Sequence, residues 1–299
     1  MRIVSIGECM IELSAEPDRP GTWRQAFAGD TFNTAWHLRR QMPDWSVDYL
    51  TALGDDRFSV EMAGWMDRQG IGTRHVQVVP GRTPGLYTIA LHDGERSFTY
   101  WRQDSAARRL ADSPVVLADA LDGADAAYLS GITLAILPPE GRRTLLAALV
   151  RARQAGTRIA FDSNIRPRLW ESPEAMARML AEAAATSDIL LPSFDDERAA
   201  FGDASPDITA HRYAGWGASE VIVKNGHEAV TTLTNGHLQQ HRGRVLRVPV
   251  DTTGAGDSFN AGYLAARLRG AEVFEAVARA RFLAEEVIMY RGALPPEAR

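Results

Sequence analysis

The chain has 299 residues, 45% of them hydrophobic and 24% charged, with a formal net charge of -5. That is the composition of a soluble globular protein, and its acidic balance argues against a nucleic-acid binder. A single cysteine, Cys9, excludes an internal disulfide and a zinc cluster of cysteines.

In chain order, residues 2–7 read as a short buried strand that leaves Cys9 as a buried small residue. Met10 to Ala15 alternates, with Ile11 and Leu13 on one face of a half-exposed strand. Pro17, Pro20 and Gly21 break the chain, and Trp23 to Phe27 forms a second short strand. Gly29-Asp30-Thr31 opens a helix, with Thr31 or Asp30 as its cap. Val47 to Leu53 is a strand, and Arg57 to Gln69 is a helix ended by Gly70. Leu86 to Leu91 and Ser97 to Trp101 are the arms of a hairpin turned at Asp93-Gly94. This hairpin interrupts a βα pattern and, with the strands near 10–15 and 23–27, can form a separate small sheet.

From about residue 125 the alternation is regular. Strands are expected at 126–130, 158–162, 188–191 and 221–224, and helices at 139–154, 173–185 and 207–216. Arms 229–234 and 237–241 meet at Asn235-Gly236. Helices 255–269 and 272–289 close the chain. Repeated βα units predict an α/β fold with a mostly parallel sheet covered by helices on both faces, and with its site beyond the carboxyl ends of the strands.

Several chemistries drop out. Lys224 is the only lysine, and Val223 before it excludes a Walker A loop. There is no nucleophile elbow and no HExxH. The N-terminus is too short and too soon charged for a signal peptide. No stretch reaches the roughly 18 apolar residues that span a bilayer. The default expectation is a cytoplasmic enzyme without a membrane or nucleic-acid partner.

Asp251-Thr252-Thr253-Gly254-Ala255-Gly256-Asp257 carries the strongest chemical signal. It follows the β-branched run Val245 to Val250, which reads as a strand, and precedes a helical pattern with Phe259, Gly262, Tyr263 and Ala266 on one face. Glycines at a helix N-terminus expose backbone N–H groups to an anion. Asp257 sits beside them, placed to take a proton from an attacking hydroxyl. The bland alternative is a tight turn with a helix-start carboxylate.

Three further stretches fall at strand ends or on the hairpin. Gly29 permits close backbone approach, and Asp30 and Asn33 can bond hydroxyl groups of a ligand; the alternative is an ordinary helix cap. Tyr87, Tyr100, Trp101 and Arg102 lie on the hairpin, where cross-strand packing accounts for either Tyr100 or Trp101, since neighbours face opposite sides. Arg166 follows a strand, and Pro167 keeps a helix from starting early there. Two arginines near one hydroxyl-binding site imply an anionic ligand.

The run ending in Gly254-Ala255-Gly256-Asp257 closely resembles the C-terminal signature of the PfkB, or ribokinase-like, carbohydrate kinases. Ile6 to Leu13, Gly29 to Thr34, Pro84 to Tyr87, Tyr100 to Arg102, Leu129 to Ile132 and Arg166 to Trp170 look like the bacterial 2-keto-3-deoxygluconate kinases, nearly end to end. The resemblance implies a ribokinase fold with a β-sheet lid, in one kinase domain over residues 1–299. It implies transfer of phosphate from ATP, with Mg²⁺, to a sugar acid. Gly254, Ala255 and Gly256 would hold the phosphate in flight and Asp257 would be the base. Gly29, Asp30, Thr31, Phe32, Asn33, Tyr87, Tyr100, Trp101, Arg102 and Arg166 would contact the sugar acid. Asn164, Arg166, Lys224, Asn225, Gly226, His227, Glu228, Ala229 and the loop 254–257 would line the ATP site.

Some residues depart from the family pattern. Ala28-Gly29 replaces a Gly-Gly, Asn225 replaces a basic or apolar residue, and Ser193 replaces the amide of a metal-associated motif in which Asp196 keeps the carboxylate. The exposed lid edge suggests a homodimer through the lid. The rivals are a neutral-sugar kinase and a non-catalytic sugar-acid-binding regulator.

Overall fold

The computed structural model describes residues 1–16, 19, 21–92, 95–243 and 248–295. The expected breaks at Pro17 and Pro20, the turn at Asp93-Gly94 and the start of the run at Val245 lie outside them.

Thirteen strands are present among the described residues: β1 Arg2–Ile6, β2 Met10–Ala15, β3 Trp23–Ala28, β4 Ser46–Leu53, β5 Val76–Val78, β6 Leu86–His92, β7 Glu95–Trp101, β8 Ala126–Ser130, β9 Arg158–Asp162, β10 Ile189–Leu190, β11 Glu220–Val223, β12 Val230–Thr234 and β13 His237–His241. The helices are α1 Asp30–Gln41, α2 Arg57–Arg68, α3 Pro114–Leu121, α4 Gly131–Ile136, α5 Pro139–Gln154, α6 Pro173–Thr186, α7 Phe194–Phe201, α8 Pro206–Gly215, α9 Ala255–Leu268 and α10 Val273–Val287. β5, α3, α4 and α7 have no counterpart in the sequence reading. They are short, and α7 opens on Asp195, Asp196 and Glu197 rather than on an apolar period.

The large sheet runs β13-β12-β11-β10-β9-β8-β1-β4-β5, parallel from β5 to β11, with β12 and β13 added antiparallel. Its central strands are apolar on both faces because helices cover both. Val4, Ile6, Leu129 and Phe161 pack with residues of α3, α5 and α6 on one side. Ile3, Tyr49 and Tyr128 pack with α1, α9 and α10 on the other. Parallel strands place all their carboxyl ends on one edge, and it is there that Glu8, Ser130, Asp162 and Lys224 emerge.

The small sheet has the order β3-β2-β6-β7, with β2 and β6 parallel and the outer pairs antiparallel. Its period-2 alternation sorts the two faces. Ile11, Leu13 and Phe27 turn toward the main core, while Met10, Ala28 and Tyr87 form a separate apolar group on the other face.

Three local expectations are corrected. The residue that caps α1 is Gly29, in extended backbone and without a side-chain cap. Thr31 cannot serve as cap because its hydroxyl is buried against the Tyr49 hydroxyl at 2.9 Å. Val248 to Val250 is not a strand, and Val248 is 85% exposed; the backbone N–H groups of Val250 and Asp251 both donate to the Ile288 carbonyl after α10 instead. Pro167 does not delay a helix but begins a 3-10 turn, Pro167–Leu169, with Arg166 as the flanking residue.

Candidate active site

Two cavities open at the carboxyl edge of the large sheet. One, of about 660 Å³, lies between that edge and the small sheet. The other, of about 540 Å³, lies between α7, the Lys224–His227 turn and α10. Both are lined by Ser193, Asp196, Lys224, Thr252, Ala255 and Gly256, so the glycine loop is the wall between them.

The loop is held from beneath. Asp251 is buried; its Oδ1 accepts from the Thr253 N–H at 2.8 Å and its Oδ2 from the Gly292 N–H at 2.7 Å. Gly254 has φ +76, and a Cβ there would lie 2.7 Å from the Ala293 Cβ, so no side chain fits. The Ala255 N–H closes a turn onto the Thr252 carbonyl at 3.2 Å. The first-turn amides of Gly256 and Asp257 remain for an anion, since a helix leaves its leading N–H groups without intrahelical partners. Of the Gly254, Ala255 and Gly256 backbone expected to hold phosphate, Gly256 therefore keeps a free amide, and the Ala255 amide is engaged in the turn.

Asp257 lines the larger cavity. Asn33 Nδ2 donates to its Oδ2 at 2.8 Å. Loss of hydration pushes its pKa up to about 8, with the nearby charge of Asp30 adding to the rise and the Asn33 hydrogen bond opposing it. Asp257 is thus a carboxyl group tuned toward neutral pH, the range suited to general acid–base work.

Lys224 ends β11. Its Nζ donates to Asp162 Oδ2 at 2.9 Å and to Asn260 Oδ1 at 3.0 Å. Asn260 Nδ2 donates in turn to Asp162 Oδ2 at 2.7 Å and to the Tyr128 hydroxyl at 3.0 Å. The single lysine is therefore part of a buried polar unit directly under the loop.

The sequence-derived residues divide between the cavities and the core. Gly29, Asp30, Asn33, Tyr87, Tyr100, Arg102 and Arg166 line the 660 Å³ cavity, as expected of sugar contacts. Gly29 is required by close approach, since a Cβ would sit 2.1 Å from the Glu8 carbonyl oxygen. Thr31 and Phe32 point inward and are fully buried, Phe32 against Tyr49 and Trp65. Tyr100 stacks on Tyr87 with centroids 5.6 Å apart, whereas Trp101, 57% exposed, lies outside the cavity. Period-2 alternation puts the two on opposite faces, and the pairing of Tyr100 with Tyr87 across the strands puts Tyr100 on the cavity side.

Lys224, Asn225, Gly226 and His227 line the 540 Å³ cavity, but Glu228 and Ala229 do not. The Glu228 carbonyl accepts from Arg281 at 2.9 Å, and its carboxylate lies 3.3 Å from the His227 ring. Asn164 and Arg166, expected on the nucleotide side, line the other cavity. Asn164 Nδ2 donates to Asp30 Oδ2 at 2.8 Å.

The two arginines are not free charges. The Arg102 guanidinium donates to the buried Glu8 carboxylate, and Arg166 pairs with Asp196 at 3.1 Å. Part of the positive charge of the cleft is therefore neutralised within the protein, although a guanidinium has five donors and each pairing uses only part of them. Asp196 lines both cavities; burial raises its carboxyl pKa and Arg166 opposes the rise.

Sequence reasoning missed Glu8, Met10 and Phe98 as residues of this region, and took Asp162 only as the start of the stretch that carries Arg166. Glu8 and Asp162 were detectable in principle, as acidic residues at the carboxyl ends of parallel strands. Phe98 carried only the signal of sharing a strand face with Tyr100.

The pfkB family carbohydrate kinase model matches residues 1–298. The chain is 41% identical to the 2-dehydro-3-deoxygluconokinase of Dickeya dadantii, over 98% of this chain and 96% of that one. It is 39% identical to the 2-dehydro-3-deoxygluconokinase of Escherichia coli, over 99% and 97%. Among solved structures, a putative ribokinase II from E. coli in complex with ATP and Mg²⁺ superposes with a TM-score of 0.84 at 22% identity, covering 98% of this chain and 94% of that one. That likeness establishes the ribokinase-like fold.

Proposed function

We propose, since this chain belongs to the pfkB family of carbohydrate kinases, that it transfers the γ-phosphoryl group of ATP to the terminal hydroxyl of 2-keto-3-deoxy-D-gluconate, giving the 6-phosphate. The observation that carries the mechanism is the place of Asp257, next to first-turn amides in the wall between two cavities. A hydroxyl in one cavity and a phosphate in the other meet at that wall.

Asp257, when ionised, takes the proton of the hydroxyl as its oxygen forms a bond to the γ-phosphorus. The bond from that phosphorus to the bridging oxygen breaks, and ADP leaves with the electron pair. Main-chain N–H groups of the loop stabilise the charge on the equatorial oxygens. Gly29, Asp30, Tyr87, Tyr100, Arg102 and Arg166 hold the sugar acid, the free donors of Arg166 and Arg102 meeting its carboxylate. The turn at 224–227 and the loop 254–257 hold the nucleotide. The small sheet acts as a lid that excludes water, and its outer edge is the surface for a homodimer.

The E. coli neighbour is in complex with ATP and Mg²⁺, and the residues here fit a cation bound in the manner of Mg²⁺. Among the described residues no cluster of three or more His, Cys, Asp or Glu could cage a metal. Mg²⁺ keeps much of its water and takes only one or two carboxylates besides phosphate oxygens. Asp196, on the shared wall, would hold it, and it would neutralise phosphate charge.

The decisive experiment sets 2-keto-3-deoxygluconate beside fructose at fixed MgATP. Discrimination worth one charged hydrogen bond gives the sugar acid a kcat/KM about ten- to a hundred-fold higher. Higher kcat/KM for fructose would make this a neutral-sugar kinase. Binding of the acid without ATP consumption would make it a regulator.

A second expectation concerns pH. With Asp257 near 8, the base is mostly protonated in the free enzyme at neutral pH. The sign is therefore that kcat/KM, which reports the free enzyme, rises about tenfold per pH unit and levels off near pH 8. A profile flat from pH 6 to 8 would contradict the base assignment.

A further inference from the structure

We infer that Asn33 is a positioning residue for Asp257: it pins one carboxylate oxygen and leaves the other for the attacking hydroxyl. This rests on the reading of Asp257 as the base.

The geometry is specific. Asn33 is 6% exposed and lies one turn into α1. Its Oδ1 accepts from the Gly29 N–H at 3.3 Å, and its Nδ2 donates to Asp257 Oδ2 at 2.8 Å. The amide orientation is fixed by chemistry, because a backbone N–H only donates and an ionised carboxylate only accepts. Both ends of the side chain are thus engaged within the protein. The neighbouring Thr34 ties the same two helices together, its hydroxyl donating to the Asp257 backbone carbonyl at 3.2 Å. The contact joins residues 224 positions apart, so it exists only because α1 and α9 pack side by side.

A carboxylate on an otherwise unrestrained side chain rotates about two torsions. With Oδ2 bonded to Asn33, Oδ1 is the oxygen with capacity for a proton. The bond also favours the ionised form, the one a base needs. Facing Asp257 from the other packed elements are Asp30 of α1, Asp162 at the end of β9, Lys224 at the end of β11 and Tyr128 of β8. Two of these carboxylates favour the protonated form and the ammonium opposes them. Asn33 is the neutral donor in this set.

The test compares wild type, Asn33→Ser, Asn33→Asp and Asp257→Asn by kcat, sugar-acid KM, the pH profile of kcat/KM, and thermal melts. Asn33→Ser is expected to lower kcat about 10- to 100-fold, to keep KM within about threefold, and to move the ascending limb up by about one pH unit, the size of a lost charged hydrogen bond. Asn33→Asp keeps an acceptor for the Gly29 N–H, so it serves if the serine variant does not fold. It places a second carboxylate against Asp257, and its limb is expected to move further. A tenfold rise in KM with kcat and the limb unchanged would make Asn33 a sugar ligand and overturn the inference. Near-normal turnover in Asp257→Asn would instead sink the base assignment beneath it, so the two failures are distinguishable.

Discussion

Asp257→Asn is expected to lower kcat by about 10²–10⁴-fold, the usual contribution of a positioned base, with KM for both substrates largely kept. The amide is nearly isosteric, and its carbonyl oxygen can still accept from Asn33, so the helix start and the anion loop stay in place. The same substitution is expected to stabilise the protein. The folded-state pKa of Asp257 is raised from the ordinary carboxylate value to about 8, so the native chain binds the extra proton between about pH 4 and pH 8. Stability contributed by that proton is complete below pH 4 and is lost as pH rises through 8. Asn does not titrate and escapes the loss. The variant's melting temperature should therefore exceed that of wild type by a few °C at pH 8, with a smaller difference at pH 5. Such a trade of activity against stability is common at active sites. Retained turnover would remove the proposed mechanism. A Tm difference that shrinks with rising pH would show that Asp257 is not held protonated by its surroundings.

The second large effect is on folding rather than chemistry. Lys224→Met is expected to cost about 3–5 kcal/mol, because it strands the buried Asp162 carboxylate. At roughly 2–4 °C per kcal/mol for chains of this order of size, the melting temperature falls by about 10 °C. Asp162→Asn on top of Lys224→Met removes the stranded charge and should recover more than half of the loss. The Asn260 amide bridges lysine, aspartate and Tyr128 in the parent, so the three side chains act as one unit and their effects will not add. An unchanged melting temperature with a raised KM for ATP would instead assign Lys224 wholly to the nucleotide. Thermal melts of the two variants against wild type decide between these outcomes.

The legibility of the site followed the range of the interactions involved. Gly254 to Asp257 is contiguous, and its chemistry depends on local geometry: a glycine-rich turn followed at once by a helix. Gly29 was visible for the same reason. Trp101 and Tyr100 were separable only as alternatives, because alternation says that they face opposite sides but not which side meets the cleft. The ion pairs on Arg102 and Arg166 were invisible, since Glu8 lies 94 residues from Arg102 and Asp196 lies 30 from Arg166. That hidden pairing is why arginine count overstated the positive charge of the cleft.

The sequence by itself determined the class of fold and the identity of the anion loop. Strand and helix periods, turn glycines and a helix-start carboxylate are properties of neighbours along the chain, fixed by backbone sterics and the spacing of apolar residues. Only the tertiary structure decided which side chains serve the loop. It brought Asn33 to Asp257, Asp162 and Asn260 to Lys224, and Glu8 to Arg102, by packing elements far apart in sequence along one edge of a parallel sheet. Such polar contacts carry no periodic signature, because a buried charge needs any suitable partner within about 3 Å and the chain can supply it from any distance.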